Sequence, residues 1–384
     1  MQRYAVLGMA SVAALLVAGC GGHSGAPQTD SGGQTVAAPG LDRAAALPRV
    51  VAPPPGKLYH GFYFSTEVGH EHGVRPADVA TYESTVGQQV AWVYISHQWW
   101  QGREFPLARC RWIRGLGKVP YIRLMLWSTD DRVLPDPTYT LSAIIAGKFD
   151  ADLRAWADSA KAFGTPLIAE YGVECNGSWF PWNGKWNGGS TKTGFGNPSK
   201  ADGPERFVAA YRHMIDLMRS RGATNITWVF HVNNGDLPGT AWNRFEHYYP
   251  GGSYVDWVGI SCYGAQAPNE TDIQQFRPGF DDAYQRAVAM APDKPIIVPE
   301  FGCALHNREV AASDWANRAL ANILGTRYPK LAGFCWWNET WQNDNNPAHN
   351  SDLVIWHDQA LSDVFRTQLG NHEARLQETP VIAP

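Results

Sequence analysis

Between Lys57 and Gly370 the sequence alternates eight times between a short apolar run, rich in β-branched and aromatic residues, and a longer stretch with helical patterning. The candidate strands are residues 58–64, 90–96, 119–126, 167–174, 226–232, 255–263, 295–301 and 332–337. The intervening segments 150–163, 204–221, 279–290 and 313–326 carry apolar residues three and four apart, as amphipathic helices require. Strict alternation argues for a parallel sheet, and eight repeats argue for closure into a single (β/α)8 TIM barrel of the α/β class. An open dinucleotide-binding sheet is the competing fold, but no Gly-x-Gly-x-x-Gly follows the first strand.

Charge and composition narrow the function. Lys and Arg total 32 against 36 acidic residues, and no basic run exists to displace phosphate counterions, so no nucleic acid is expected as partner. Tryptophan, at 17 residues, outnumbers both tyrosine and phenylalanine, at 15 each. Broad indole faces with one N–H donor suit stacking on sugar rings as well as core filling.

The first residues carry Arg3 and then an apolar run of signal-peptide length, ending in Val17-Ala18-Gly19-Cys20. Small residues before that cysteine resemble a bacterial lipoprotein cleavage box. Residues 1–19 therefore read as a signal peptide, and Cys20 as a lipidated residue holding an exported, cell-envelope protein at a membrane. Residues 20–56, rich in Gly, Ser, Ala and Pro, read as the lipidated cysteine and a flexible linker. The catalytic domain is expected over 57–370 and a disordered tail over 371–384, in a protein acting as a monomer. No CxxC or His/Cys cluster suggests zinc, and no metal or organic cofactor is expected. Cys262 and Cys303 lie near the ends of neighbouring candidate strands, where free thiols are favoured over a disulfide.

In a barrel of this kind chemistry sits at the C-terminal ends of the strands. Glu174 closes the fourth candidate strand and Glu300 the seventh. Alternation puts Ile296, Val298 and Glu300 on one face, and Glu170, Gly172 and Glu174 on one face, so both terminal acids are expected to face the axis. Two carboxyl groups flanking a glycosidic bond are what glycoside hydrolysis needs, one as proton donor and the other as nucleophile or electrostatic stabiliser. Trp99, Trp100, Trp127, Trp179, Trp182, Trp336, Trp337 and Trp341 fall around the mouth, while Asn176, Asn233, Asn234 and Asp236 offer groups suited to hydroxyl-rich ligands. Of these, Asn176, Trp179, Trp182 and Trp336 are taken as substrate-binding candidates. Glu170 is expected to pair with Arg123 in a structural role, and the Gly- and Lys-rich loop 183–202 to form a flexible rim.

The segments Glu174-Cys-Asn-Gly-Ser-Trp179-Phe-Pro-Trp182, Tyr254-Val-Asp-Trp-Val-Gly-Ile260 through Tyr263, and Pro299-Glu300-Phe-Gly302 resemble glycoside hydrolase family 26. The resemblance implies a retaining enzyme with Glu174 as general acid/base and Glu300 as nucleophile. It further implies that Tyr263 hydrogen-bonds the nucleophile, that Trp179 lines the site beside the acid, that Trp336 is a sugar platform, and that His97 contacts the sugar at the cleavage point. The family's mannanases typically carry histidine before the acid/base and methionine after it, whereas this chain has Val173 and Cys175. The expected function is a retaining endo-β-glycanase acting on β-mannan or β-1,3/1,4-glucan. Two alternatives stay open: a non-catalytic polysaccharide-binding lipoprotein, and a hydrolase trimming the cell's own exopolysaccharide.

Overall fold

The computed structural model describes residues 46–65, 71 and 73–383, so the expected signal peptide, Cys20 and most of the linker lie outside the described residues. Eight parallel strands form the barrel: β1 (Tyr59–Ser65), β2 (Trp92–Gln98), β3 (Val119–Met125), β4 (Leu167–Tyr171), β5 (Ile226–Asn233), β6 (Trp257–Tyr263), β7 (Ile296–Gly302) and β8 (Leu331–Trp341). Each pairs in parallel with the next, and β8 closes on β1 in a register running from Tyr59↔Gly333 to Ser65↔Glu339. Helices α1 (Pro76–Val86), α2 (Leu107–Gly115), α3 (Leu141–Ile145), α4 (Asp150–Phe163), α5 (Asp202–Ser220), α6 (Phe276–Met290), α7 (Ala312–Ile323) and α8 (Gln359–Asn371) follow the strands. The (β/α)8 barrel expected from the alternation is formed.

Both ends of the domain are more ordered than the sequence suggests. Arg49–Val50, expected within the linker, pairs antiparallel with Ile382–Ala383, which lies in the segment expected as a disordered tail. The Tyr59 hydroxyl ties the two together, donating to Val51 O and accepting from Val381 N, each at 2.9 Å. Polar residues in the tail conceal this role because the backbone, rather than the side chains, makes the bonds.

Alternation along the strands divides the core in two. Inside the barrel lie Tyr59, Tyr63, Trp92, Tyr94, Tyr121, Val229, Trp257 and Ile297. Outside, Phe62, Val93, Ile122, Phe230, Val298 and Phe334 meet Trp156, Phe207, Phe280, Trp315 and Phe365 from the helices. The N-terminal end of the barrel is plugged by Trp92, whose indole lies where the side chains of Gly61 and Gly333 would otherwise be: a Cβ on Gly61 would fall 2.0 Å from Trp92 Nε1, and one on Gly333 would fall 2.5 Å from its Cη2.

β7 departs from simple alternation. Gly259 and Cys262 of β6 pair with Ile297 and Phe301, so β7 holds one extra residue over that span. The same excess appears against β8, where Val298↔Phe334 is followed by Phe301↔Trp336. Ile296 and Val298 consequently face the helices, and the expected single face shared by Ile296, Val298 and Glu300 does not form. A bulge around Pro299 reverses the alternation and turns Glu300 inward; bulges recur beside active sites because they re-aim a side chain in this way.

The five described cysteines, Cys110, Cys175, Cys262, Cys303 and Cys335, are all free and buried. Cys262 packs in the outer layer, its thiol directed at Phe276 O.

Gly61→Ala is expected to destabilise the barrel by about 1–3 kcal/mol, since the added methyl overlaps an indole enclosed on all sides. Urea unfolding followed by tryptophan fluorescence measures the loss, and a variant as stable as the parent would refute the plug.

Candidate active site

The C-terminal mouth holds Glu174 and Glu300, aimed by different local devices. β4 ends at Tyr171, three residues before Glu174, so the expected strand to residue 174 is shorter than predicted. Gly172 takes a φ of +71°, and a Cβ there would lie 2.3 Å from the Phe207 ring, so only glycine serves this turn. Glu174 itself adopts a φ of +48°, a left-handed conformation uncommon outside glycine and often held at functional positions. Glu170 faces the barrel interior as expected, but the turn, rather than continued alternation, directs Glu174.

Both oxygens of Glu174 accept from neutral N–H donors: Asn233 Nδ2 at 2.8 Å and Trp179 Nε1 at 2.7 Å. Asn233 is itself fixed by Asn176, whose Oδ1 accepts from the Asn233 backbone at 2.8 Å. The Asn176 amide nitrogen donates to Asn233 O, Gly235 O and Asp236 Oδ1. Asn176 is therefore fully engaged in joining the loops after β4 and β5, and acts through Asn233 instead of meeting a ligand directly.

Glu300 is buried and accepts from Tyr263 Oη at 2.9 Å and more weakly from Tyr94 Oη at 3.4 Å. Arg123 Nη2 lies 3.5 Å from Glu300 Oε1. Burial pushes the Glu300 carboxyl up to about 7, against the pull of Arg123 and His231, while the negative charges of Glu174 and Glu170 add to the rise. Glu174 and Glu300 thus feel each other across one compartment, and Tyr263 feels both.

Arg123 does more than pair with Glu170. Its nearest carboxylate is Glu71, at 2.8 Å, with Glu300 at 3.5 Å and Glu170 at 4.0 Å. Glu170 accepts from Tyr121 Oη at 2.7 Å, from Tyr94 Oη, and interacts with His231 Nδ1 at 3.0 Å. Burial works against its charge, but His231, Arg123 and Tyr94 hold its carboxyl below the usual range. Glu170, His231 and Glu300 bring ligand-type atoms within 4.8 Å of one another. Both His231 nitrogens already have partners, Glu170 and Ser261, so the cluster is satisfied internally.

Three expected binding residues lie elsewhere. Trp336 faces the helices, packing against Phe301, Trp315 and Phe365 and donating to Leu353 O. Trp337 is the residue turned inward, stacked on Tyr63 at 3.6 Å with the Arg123 guanidinium 4.9 Å from its ring centre. Alternation explains the exchange, because Cys335 and Trp337 share the inner face. Trp182 is buried behind the acidic turn, where it donates to Val173 O and stacks on Phe180. His97 falls on the outer face of β2 for the same parity reason, among the backbone of Gly102 and Glu104, and burial lowers its pKa to about 3. At the mouth the half-buried aromatics are Trp179, Tyr263 and Trp341, the last two packed on the inner cluster. The loop 183–202 is tied in place by Asn183, which donates to Cys175 O, and by Asn187 and Arg206, which hydrogen-bond the loop's backbone, so the expected flexible rim is a braced one.

His231, Glu71 and the Tyr94–Tyr121 pair were not singled out from the sequence. A histidine inside an apolar strand, Ile226-Thr-Trp-Val-Phe-His231, was the available signal for the first.

The sequence pattern of glycosyl hydrolase family 26 matches residues 133–360. Endoglucanase H of Acetivibrio thermocellus is 33% identical over 208 residues, covering 54% of this chain and 21% of that protein. Mannan endo-1,4-beta-mannosidase A and B of Caldalkalibacillus mannanilyticus is 27% identical over 175 residues, 45% of this chain and 28% of that protein. This chain thus spans less than a third of either relative. Among solved structures, the catalytic domain of the Bacillus sp. JAMB-750 endo-beta-1,4-mannanase superposes with a TM-score of 0.59 at 17% identity, over 84% of this chain and 87% of that one. Bacillus subtilis mannanase man26 superposes at 0.54 and 18% identity, over 82% and 86%. The structural likeness establishes the shared barrel, and the match over residues 133–360 establishes the lineage: this chain belongs to glycosyl hydrolase family 26.

Proposed function

We propose that the protein is a retaining endo-β-glycanase in which Glu174 is the general acid/base and Glu300 the nucleophile. The observation that carries this reading is the contrast between two carboxyls sharing one mouth. Glu300 is buried against Arg123, Tyr263 and Tyr94, a cation and donors that counter the rise burial imposes on the attacking carboxyl. Glu174 accepts instead from two neutral N–H groups, those of Asn233 and Trp179. In the first step Glu300 attacks the anomeric carbon while Glu174 protonates the departing glycosidic oxygen. In the second, Glu174 takes a proton from water, whose oxygen displaces Glu300 from the sugar.

A β-linked glucan is the favoured substrate over mannan. Endoglucanase H, at 33% identity, is more similar than the mannosidase at 27%, and Val173 replaces the histidine usual before the acid/base in the family's mannanases. The half-buried Trp179, Tyr263 and Trp341 supply apolar surface for pyranose rings. A lipid tether at Cys20, supported by the sequence Val17-Ala18-Gly19-Cys20, would hold the enzyme at the cell envelope, for foraging or for trimming exopolysaccharide. Cys20→Ser is then expected to abolish labelling by radioactive palmitate in a bacterial host, and undiminished labelling would remove the tether.

Glu174→Gln and Glu300→Gln are each expected to reduce turnover by about 10³-fold or more. Reducing-end release from mixed-linkage β-glucan, β-mannan, xylan and bacterial exopolysaccharides measures this and identifies the substrate. Proton NMR of the earliest product should show the β-anomer, whereas an α-anomer would rule out double displacement.

Attack requires Glu300 ionised, and its carboxyl titrates at about 7. The value of kcat/KM is therefore expected to be low in acid and to rise towards a plateau as pH increases through about 7, falling about tenfold per unit on the acid side. A pH–rate profile on soluble oligosaccharide tests the sign; a plateau extending unbroken to pH 5 would contradict it.

A further inference from the structure

Beneath the two mouth glutamates lies a buried pair with no assigned part in the double displacement. His231, on β5, sits with Nδ1 3.0 Å from Glu170 Oε2 and Nε2 2.7 Å from Ser261 Oγ. Its register partner on β6 is Gly259. A Cβ on that glycine would lie 3.3 Å from His231 Cδ2 and 3.0 Å from Pro299 Cγ. The missing side chain leaves the imidazole room beside the bulged part of β7 that carries Glu300.

Three donors converge on Glu170: the hydroxyls of Tyr94 and Tyr121 and the imidazole of His231. That number of bonds to one carboxyl favours its ionised form. Two carboxylates, Glu170 and Glu300, each bring an oxygen within 4.8 Å of an imidazole nitrogen, a negative surrounding that favours the imidazolium, and Ser261 Oγ is placed to accept from its Nε2. Burial opposes this charge, and Glu170 overrides the opposition, with Glu300 and Glu174 contributing.

The charged groups facing the pair are Arg123 from β3, Glu300 from β7 and Glu174 above β4. The remaining titratable neighbours, Tyr94, Tyr121, Tyr263 and Tyr211, with Cys335 on β8, are held neutral by burial. Three buried carboxylates, Glu71, Glu170 and Glu300, are thus balanced by three cations, Arg123, Arg132 and His231.

We propose that His231, held as an imidazolium between Glu170 and Ser261, is a positioning residue whose buried positive charge, together with that of Arg123, keeps Glu300 ionised for attack. The proposal rests on the assignment of Glu300 as nucleophile. Removing the imidazolium leaves three carboxylates facing two guanidiniums, and the site then takes up a proton on Glu300. Removing Glu170 as well restores the balance.

His231→Gln is expected to move the acid limb of kcat/KM upward by about one pH unit, a loss of about tenfold at pH 6, while the alkaline plateau stays within about threefold of the parent. The double variant Glu170→Gln/His231→Gln is expected to return the limb towards its original position. A merely structural role would lower the whole profile without moving the limb, and either that result or a double variant no better than the single would overturn the proposal. Should the variants fail to fold, neutron diffraction from the unaltered protein at pH 7 decides the matter: deuterium on both ring nitrogens of His231 supports it, and deuterium on one overturns it. The assignment of Glu300 fails separately, through an active Glu300→Gln enzyme, so the two failures remain distinguishable.

Discussion

The charge balance inside the barrel is the constraint around which the rest is organised. Burying an uncompensated carboxylate costs several kcal/mol, so each acid on the interior needs a cation or converging donors. Arg123 reaches Glu71, Glu170 and Glu300, and His231 completes the set from β5, two strands away. Aliphatic layers, the usual filling of such barrels, would leave these acids without partners. Tyr94 and Tyr121 resolve the conflict, since their rings, in contact at a tilt, fill volume while their hydroxyls bond Glu170. The apolar packing is displaced to the N-terminal end, where Trp92 closes the floor between Gly61 and Gly333.

Above that floor the two mouth carboxyls are aimed by unrelated means. At β4 the chain leaves the sheet through Gly172 and a left-handed Glu174, and Trp182 supports the turn from behind through Val173 O. At β7 the strand continues but carries one extra residue, which brings Glu300 inward from a run whose alternation would otherwise send it to the helices. The resulting difference in surroundings, neutral donors for one and a cation with hydroxyls for the other, lets like residues take unlike roles. Asn176 braces the first device: by holding Asn233 it fixes the donor to Glu174 and joins the loops of β4 and β5.

The barrel and the two glutamates were legible in the chain because each depends on short-range order. Apolar periodicity marks strands and helices locally, and an acid at the end of a strand needs no partner to be noticed. The contact from Tyr263 to Glu300, which the family resemblance implies, is made between the ends of neighbouring strands. Residues whose role depends on parity were less secure. Trp336 and Trp337 are adjacent and chemically identical, and only the sheet register decides that the second faces inward. His97 is sent outward by the same arithmetic, with Ser96 and Gln98 on the opposite face.

The amino-acid sequence by itself determined the eightfold alternation, the placing of one acid at a strand end and another just beyond one, and the lineage carried by their flanking motifs, because all three are properties of contiguous residues. Only the tertiary structure decided which tryptophan enters the mouth, that a bulge aims Glu300, and that residues from four strands share a buried charge balance. The physical reason is that parity, bulges and charge compensation arise from pairing between segments distant in the chain, and no single segment carries a record of its neighbour's register.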